Sequence, residues 1–278
     1  MNKAHSEYRV SDLCRALGVP ISTVYYKKEN NKNDLEIIEA IKEAAEDSDN
    51  TYGTRRIRKE VLKKVGSVSL YKIAKLMKLN GVYVRFPRKR HHYPNSGEEA
   101  QYAPNLLNRN FNPETCNTYW VTDVTYIRSN QGWSDAASVM DLGTREIVGY
   151  AVSKSPNTVL TLSALNQALR LKKPDTQKLM VHSDQGSHFS SKDYRERLKR
   201  LQITQSMSRK GNCWDNAPME RFFRSLKSEY LNAQKLSNHD SVIEHTGRYI
   251  RFYNYKRMHS VLDYTTPHAR YMQIKNVA

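Results

Sequence analysis

The chain has 278 residues, 38% of them hydrophobic, with 45 Lys and Arg against 28 Asp and Glu and a formal charge of +17. That length favours more than one domain, and a basic excess spread over both halves points to a polyanionic partner, nucleic acid by default. Cys14, Cys116 and Cys213 have no paired spacing, against a disulfide framework or a zinc knuckle. With no leader and no apolar run near ~18 residues, the expectation is a soluble cytoplasmic protein, nucleoid-associated, with no membrane partner.

Residues 1–30 read as a short helix-turn-helix: Ser11 caps a helix over Asp12–Leu17, Gly18-Val19-Pro20 turns the chain, and Ile21–Tyr26 starts a second helix. Residues 31–86 read as a helical DNA-binding module. Leu35, Ile37, Ile38, Ile41 and Ala45 recur at helical spacing from Asp34 to Asp47. Thr54 is placed as the cap of a basic helix with Arg55 and Arg56. A third helix runs from about Ser69 to Leu79, and Gly81 ends it. Residues 87–114 read as a linker, whose run Arg88, Lys89, Arg90, His91 and His92 is suited to phosphate rather than metal.

From residue 115 the period changes. Strands are expected at 119–128, 133–141, 145–153, 179–183 and 203–206, with helices at 158–171 and near 191–201. Three strands in series followed by alternating helix and strand describe an α/β core, a mixed five-stranded sheet with flanking helices. That order matches the ribonuclease-H-like fold, here preceded by small all-α helix-turn-helix segments.

Three acids stand out: Asp123 inside the first strand, Asp184 after the fourth, and Glu220 in the first turn of a helix starting near Pro218, with 35 residues between the last two. A lone carboxylate in a strand interior is costly unless paired or metal-bound. Three of them in so basic a chain point to phosphodiester chemistry. That chemistry is served by two divalent cations about 3.5–4 Å apart, with Mg²⁺ content with a few carboxylates, water and substrate phosphate. Lys227 lies seven residues after Glu220, on the same helical face roughly 10 Å along the axis, placed to hold phosphate. Arg224 lies on that side too, while Phe222, Phe223 and Leu226 turn inward. Asp141 reads as a strand end and Asp215 as a helix cap.

Trp120–Thr125, His182–Ser187, Ser206–Glu220, Phe222–Glu229, Tyr253-Asn254 and Arg257–Ser260 together resemble the OrfB-type transposases of the bacterial IS-three insertion-sequence family, which carry a DDE integrase core. The likeness covers most of residues 115–270, with Trp214 and Phe189 as minor departures. It implies that Asp123, Asp184 and Glu220 are catalytic and metal-binding, with Mg²⁺ or Mn²⁺, two ions per site. It implies that Lys227 contacts DNA; Arg224, Arg209, Lys210, Arg55, Arg56, Arg88, Lys89 and Arg90 are the further DNA candidates. The implied activity is metal-dependent cleavage and transfer of insertion-sequence ends into target DNA, with water and then a 3′-hydroxyl as nucleophile. The implied partners are terminal inverted repeats, target DNA, further copies of the chain in a homodimer or larger multimer, and an upstream-frame OrfA fusion partner. A nuclease of the same fold, or a non-catalytic DNA-binding regulator, are the alternatives. The domain expectation is completed by residues 115–278 as the catalytic core with C-terminal helices.

Overall fold

The computed structural model describes residues 10–20, 32–84 and 102–277. The second helix expected at Ile21–Tyr26 and the basic run Arg88, Lys89, Arg90, His91 and His92 lie outside the described residues. Among the described residues no helix is long and apolar enough to cross a membrane.

Helix α1 (Val10–Ala16) begins one residue before Ser11, so Ser11 lies inside it rather than at its cap. Helices α2 (Lys32–Asp47), α3 (Thr54–Val65) and α4 (Leu70–Leu79) bury Ile37, Ile41, Ile57, Val61, Ile73 and Met77 against one another. Gly53, not Thr54, is the N-cap of α3, and no side chain caps that helix. Ser69 caps α4 by accepting from the Lys72 N–H at 3.2 Å. Gly81, with φ +68°, takes the left-handed position after the C-cap, where a side chain is strained.

The larger core is a five-stranded sheet ordered β3-β2-β1-β4-β5: β1 (Tyr119–Ser129), β2 (Gly132–Asp141), β3 (Ile147–Ser153), β4 (Met180–Ser183) and β5 (Thr204–Met207). β1, β2 and β3 are antiparallel neighbours, while β4 and β5 run parallel to β1. The mixed ribonuclease-H-like sheet expected from the strand order is therefore present. β3 starts later than expected because Arg145 takes φ +61° in the turn.

Successive β1 side chains point to opposite faces, so Trp120 and Val121 enter different cores. On the Trp120 side lie α5 (Thr158–Lys172) and α7 (Lys192–Arg200), α7 following the single turn α6 (Ser187–Ser190). On the Val121 side lie α8 (Ala217–Ser225) and α9 (His239–Tyr255); α10 (Pro267–Val277) closes the chain. Gly149 is required where β3 meets α5, since a Cβ there would sit 2.3 Å from the Ala164 carbonyl oxygen.

The small helical module is fastened to the C-terminal helices through Tyr52. Its buried hydroxyl donates to the Lys256 carbonyl at 2.8 Å and accepts from the Met258 N–H at 2.9 Å. Met258 itself belongs to the hydrophobic core of α2–α4.

Candidate active site

The parallel pairing of β1 with β4 covers only Tyr119 to Val121, and Val121 is level with His182. Two residues further along each strand stand Asp123 and Asp184, where the strands separate. The ends of parallel strands beside such a fork are where α/β proteins place ligands. Glu220 is delivered by the first turn of α8, with Pro218 at its start. The buried Asn216 amide donates to the Thr122 carbonyl at 3.1 Å, tying the helix start to the residue before Asp123.

Asp184 and Glu220 both lie near enough to Asp123 to bear on its charge. The Asp123 carboxyl is held well above its ordinary range by burial first and then by the charges of Asp184 and Glu220, opposed by a bond from the Val124 N–H and by Lys227. Asp184 is shaped by its own loop: its Oδ1 accepts from the Gly186 N–H at 2.9 Å. A Cβ at Gly186 would lie 3.0 Å from that oxygen and 2.9 Å from the His188 ring, so glycine permits the acid and His188 to sit together. His188 is pushed down by burial, with Asp184 acting the other way.

Lys227 stands in a π-helical turn, Leu226–Tyr230, that continues α8. Such turns carry an extra residue and often mark functional positions. Burial lowers the Lys227 ammonium's pKa and the Asp123 charge opposes that, so the cation stands within reach of the Asp123 charge. Phe222, Phe223 and Leu226 are buried, and Arg224 is exposed, both as expected.

His182 is fully buried and serves as a hydrogen-bond hub. Ser206 Oγ already accepts from the Leu106 and Leu107 N–H groups at 2.9 and 3.1 Å, so its own proton goes to His182 Nδ1 at 2.8 Å. The ring proton is then on Nε2 and donates to Ser208 Oγ at 3.2 Å, which donates to the Ser183 carbonyl. This chain of bonds requires a neutral imidazole, and burial pushes the His182 pKa down to about 4. It fixes the end of β4 from which Asp184 projects.

Asp215 corrects the reading of it as a helix cap. The residue lies in a 3₁₀ turn, and the N-cap of α8 is Asn216 without a capping side-chain bond. The buried Asp215 carboxylate accepts from the Arg209 backbone N–H, Nε and a terminal nitrogen at 3.1, 2.9 and 2.8 Å. It also accepts from Arg109 Nε at 2.8 Å and the Asn105 amide at 2.9 Å. The Arg209 guanidinium and Arg109 therefore hold its pKa well below the carboxylate range. Arg209 makes this clamp with its side chain still 56% exposed. Asp141 does end β2, accepting from the Asn117 and Thr144 N–H groups and the Thr144 hydroxyl; burial still raises its pKa to about 6.

Arg55 and Lys210 are exposed and available to phosphate. Arg56 is not: it is half-buried, 5.4 Å from the Tyr52 ring centroid, and lies in the field of Glu229 and Arg257. Helical periodicity on α3 could not separate Arg56 from Arg55, because the surface that covers Arg56 is contributed by the far end of the sequence.

Comparison with known proteins agrees with this architecture. Two models described as "Integrase core domain" match residues 113–213 and 201–267, and one described as "HTH-like domain" matches residues 32–90. A 31 kDa protein of insertion element IS600 from Shigella sonnei is 37% identical over 92% of this chain and 96% of its own length. The transposase of IS904 from Lactococcus lactis is 36% identical over 82% of this chain and 90% of its own. The InsF transposase of IS3A from Escherichia coli is 32% identical over 75% of this chain and 73% of its own. The chain belongs to the IS-three family of insertion-sequence transposases. DNA is thus its partner and DNA transposition its process, carried out by an integrase core with an HTH-like helical domain ahead of it.

Proposed function

We propose that this transposase cuts and joins DNA strands at one metal-dependent site made by Asp123, Asp184 and Glu220, with Lys227 holding a phosphate beside them. The observation that carries the reading is the burden on Asp123, whose ionisation is opposed by burial and by the other two acids together. A site built that way is incomplete without added positive charge.

The donor set fits Mg²⁺ or Mn²⁺, since it is all carboxylate oxygen. Among the described residues no three His, Cys, Asp or Glu side chains close on one point to enclose a single ion. That is compatible with Mg²⁺, which is held by one or two carboxylates and takes its remaining oxygens from water and phosphate. When bound, two such ions would activate the attacking oxygen and stabilise the leaving one.

The chain's own residues do the rest. β1 and β4 hold Asp123 and Asp184 level at the fork, and α8 brings Glu220 across to them. Gly186 lets the Asp184 carboxylate and the His188 ring pack together at the end of β4. Lys227, Arg224 and Lys210 supply the flanking positive charge, with Arg55 doing so on the helical module. The proposed units are residues 1–30 and 31–86 for DNA recognition, 87–114 as linker and 115–278 for chemistry. Two DNA ends require two sites, hence a dimer or larger assembly, and recognition of the ends calls for an upstream-frame fusion partner. Nicking of supercoiled plasmid carrying the native flanks tests the site. Wild type should nick it only with Mg²⁺ or Mn²⁺, while Asp123→Asn, Asp184→Asn and Glu220→Gln should bind DNA yet leave it intact; a variant that still nicks removes its residue from the site.

A further inference from the structure

Among the described residues, β1 has no strand beyond Val121 on the side where β4 had been. A groove of about 580 Å³ is lined by Lys227, Tyr126, Arg128, Trp133 and Lys235. Trp133 and Tyr126 are 58% and 56% exposed, large aromatic surfaces left to solvent in a strongly basic chain. Arg128 and Trp133 are direct cross-strand partners, with the guanidinium carbon 5.8 Å from the ring centroid. Tyr126 lies two residues before Arg128 and so shares their face of the sheet. The platform is held in place: the Asn130 N–H at the hairpin tip donates to the Leu236 carbonyl at 2.9 Å.

Exposed aromatics alternating with cations beside a phosphate-handling site suit an unpaired nucleotide strand. Every base offers a face to stack on, and the cations follow the backbone. From Asp123 to Tyr126 is three strand residues, about 10 Å along β1, and the odd spacing turns Tyr126 to the other face of the sheet from Asp123. A strand reaching both must therefore pass round the edge of β1, at least about three nucleotide steps at the ~3.4 Å rise of one strand. Duplex DNA would leave the rings without a base to cover them, and the groove's three cations disfavour an equally basic second copy of this chain.

We propose that Trp133, with Tyr126 and Arg128, is a stacking platform for an unpaired base a few nucleotides from the reacting phosphate, so that the transposase holds a frayed strand rather than intact duplex as it acts. The proposal rests on the reading that Asp123 marks the reacting centre.

The test uses full-length protein in EDTA, where no strand is cut. The probe is a forked duplex from the native flanks, with 2-aminopurine at each of the first four unpaired positions in turn. Wild type and Trp133→Phe should quench one position; Trp133→Ala should lose that quench and bind the fork roughly tenfold more weakly. Its affinity for unforked duplex should be unchanged. Equal quenching and affinity in the Trp133→Ala, Tyr126→Ala double variant would overturn the platform. So would a Trp133→Ala effect confined to sedimentation, which would make the surface a contact between copies. Quenching by wild type together with nicking that survives in Asp184→Asn would overturn the metal site and leave the platform standing; metal-dependent nicking lost in Asp184→Asn but no quench by wild type would do the reverse.

Discussion

Lys227 and Glu229 leave the same π-helical turn in opposite directions. Lys227 stands in the field of Asp123, while Glu229 is gripped by Arg257, Nε to Oε2 at 2.8 Å and a terminal nitrogen to Oε1 at 2.6 Å. Tyr249 also donates to Glu229 at 2.8 Å, and Arg56 of the helical module contributes to its field. One turn therefore links Asp123 to the junction with the HTH-like helical module.

Arg257 and Glu229 form a buried bidentate pair, and removing one partner of such a pair strands the other. Arg257→Met should cost roughly 3–5 kcal/mol in urea unfolding. Adding Glu229→Leu should recover much of that loss, because the orphaned charge is then gone. If the single variant is as stable as wild type, the pair does not hold this junction.

Asp123 should behave as a site under electrostatic strain. Its carboxyl is raised by burial and by Asp184 and Glu220, so above its unfolded pKa the group opposes folding. Asp123→Asn should raise the metal-free Tm by about 2 °C, a shift of about 0.5–1 kcal/mol in a chain this size. Mg²⁺ or Mn²⁺ should stabilise wild type and do little for the variant. Thermal melts with and without metal check both halves; a variant less stable than wild type without metal contradicts the strain.

Acid should loosen the junction through His259. Its Nε2 accepts from Arg257 at 3.0 Å, and burial followed by Arg257, Arg56, Arg145 and Arg221 pushes its pKa down to about 2. The unfolded ring titrates near 6.5. Folding stability from this group is therefore whole above about pH 6.5 and is lost progressively as pH falls towards the folded value. Tm should drop between pH 7 and pH 5, and His259→Gln, which keeps an acceptor without titrating, should show a shallower drop. Identical slopes would remove His259 as a source.

Asp215 should be indispensable to the loop it clamps. Asp215→Ala leaves Arg109, Arg209 and Asn105 without their shared acceptor, and limited proteolysis should then cut within residues 208–213 at a protein concentration where wild type resists. An unchanged digestion pattern would mean that the clamp is redundant.

The strands, most helices and the acids were legible because each rests on local pattern. Alternation marked β1, periodicity marked α2, and the Asp-Gln-Gly corner marked the end of β4. What stayed hidden depends on distant partners. Asp215 looked like a cap because Arg109, 106 residues away, cannot be seen beside it in sequence. Arg56 looked like Arg55 until Glu229 and Arg257 were brought against it. His182, read only as part of a motif, became intelligible once Ser206 on β5 and Ser208 just past its end supplied a donor and an acceptor. The π turn had no local signature at all.

The most direct measurement of the central claim is the mapping of joined strands. A plasmid carrying the native flanks is incubated with the protein, or its upstream-frame fusion, in Mg²⁺ or Mn²⁺, and products are read on a sequencing gel beside Asp184→Asn. Cleavage at the flanks with strands joined to new positions, absent without metal and absent in the variant, is the predicted result. Joined products undiminished in Asp184→Asn, or cleavage that never proceeds to joining in the fusion, would contradict it.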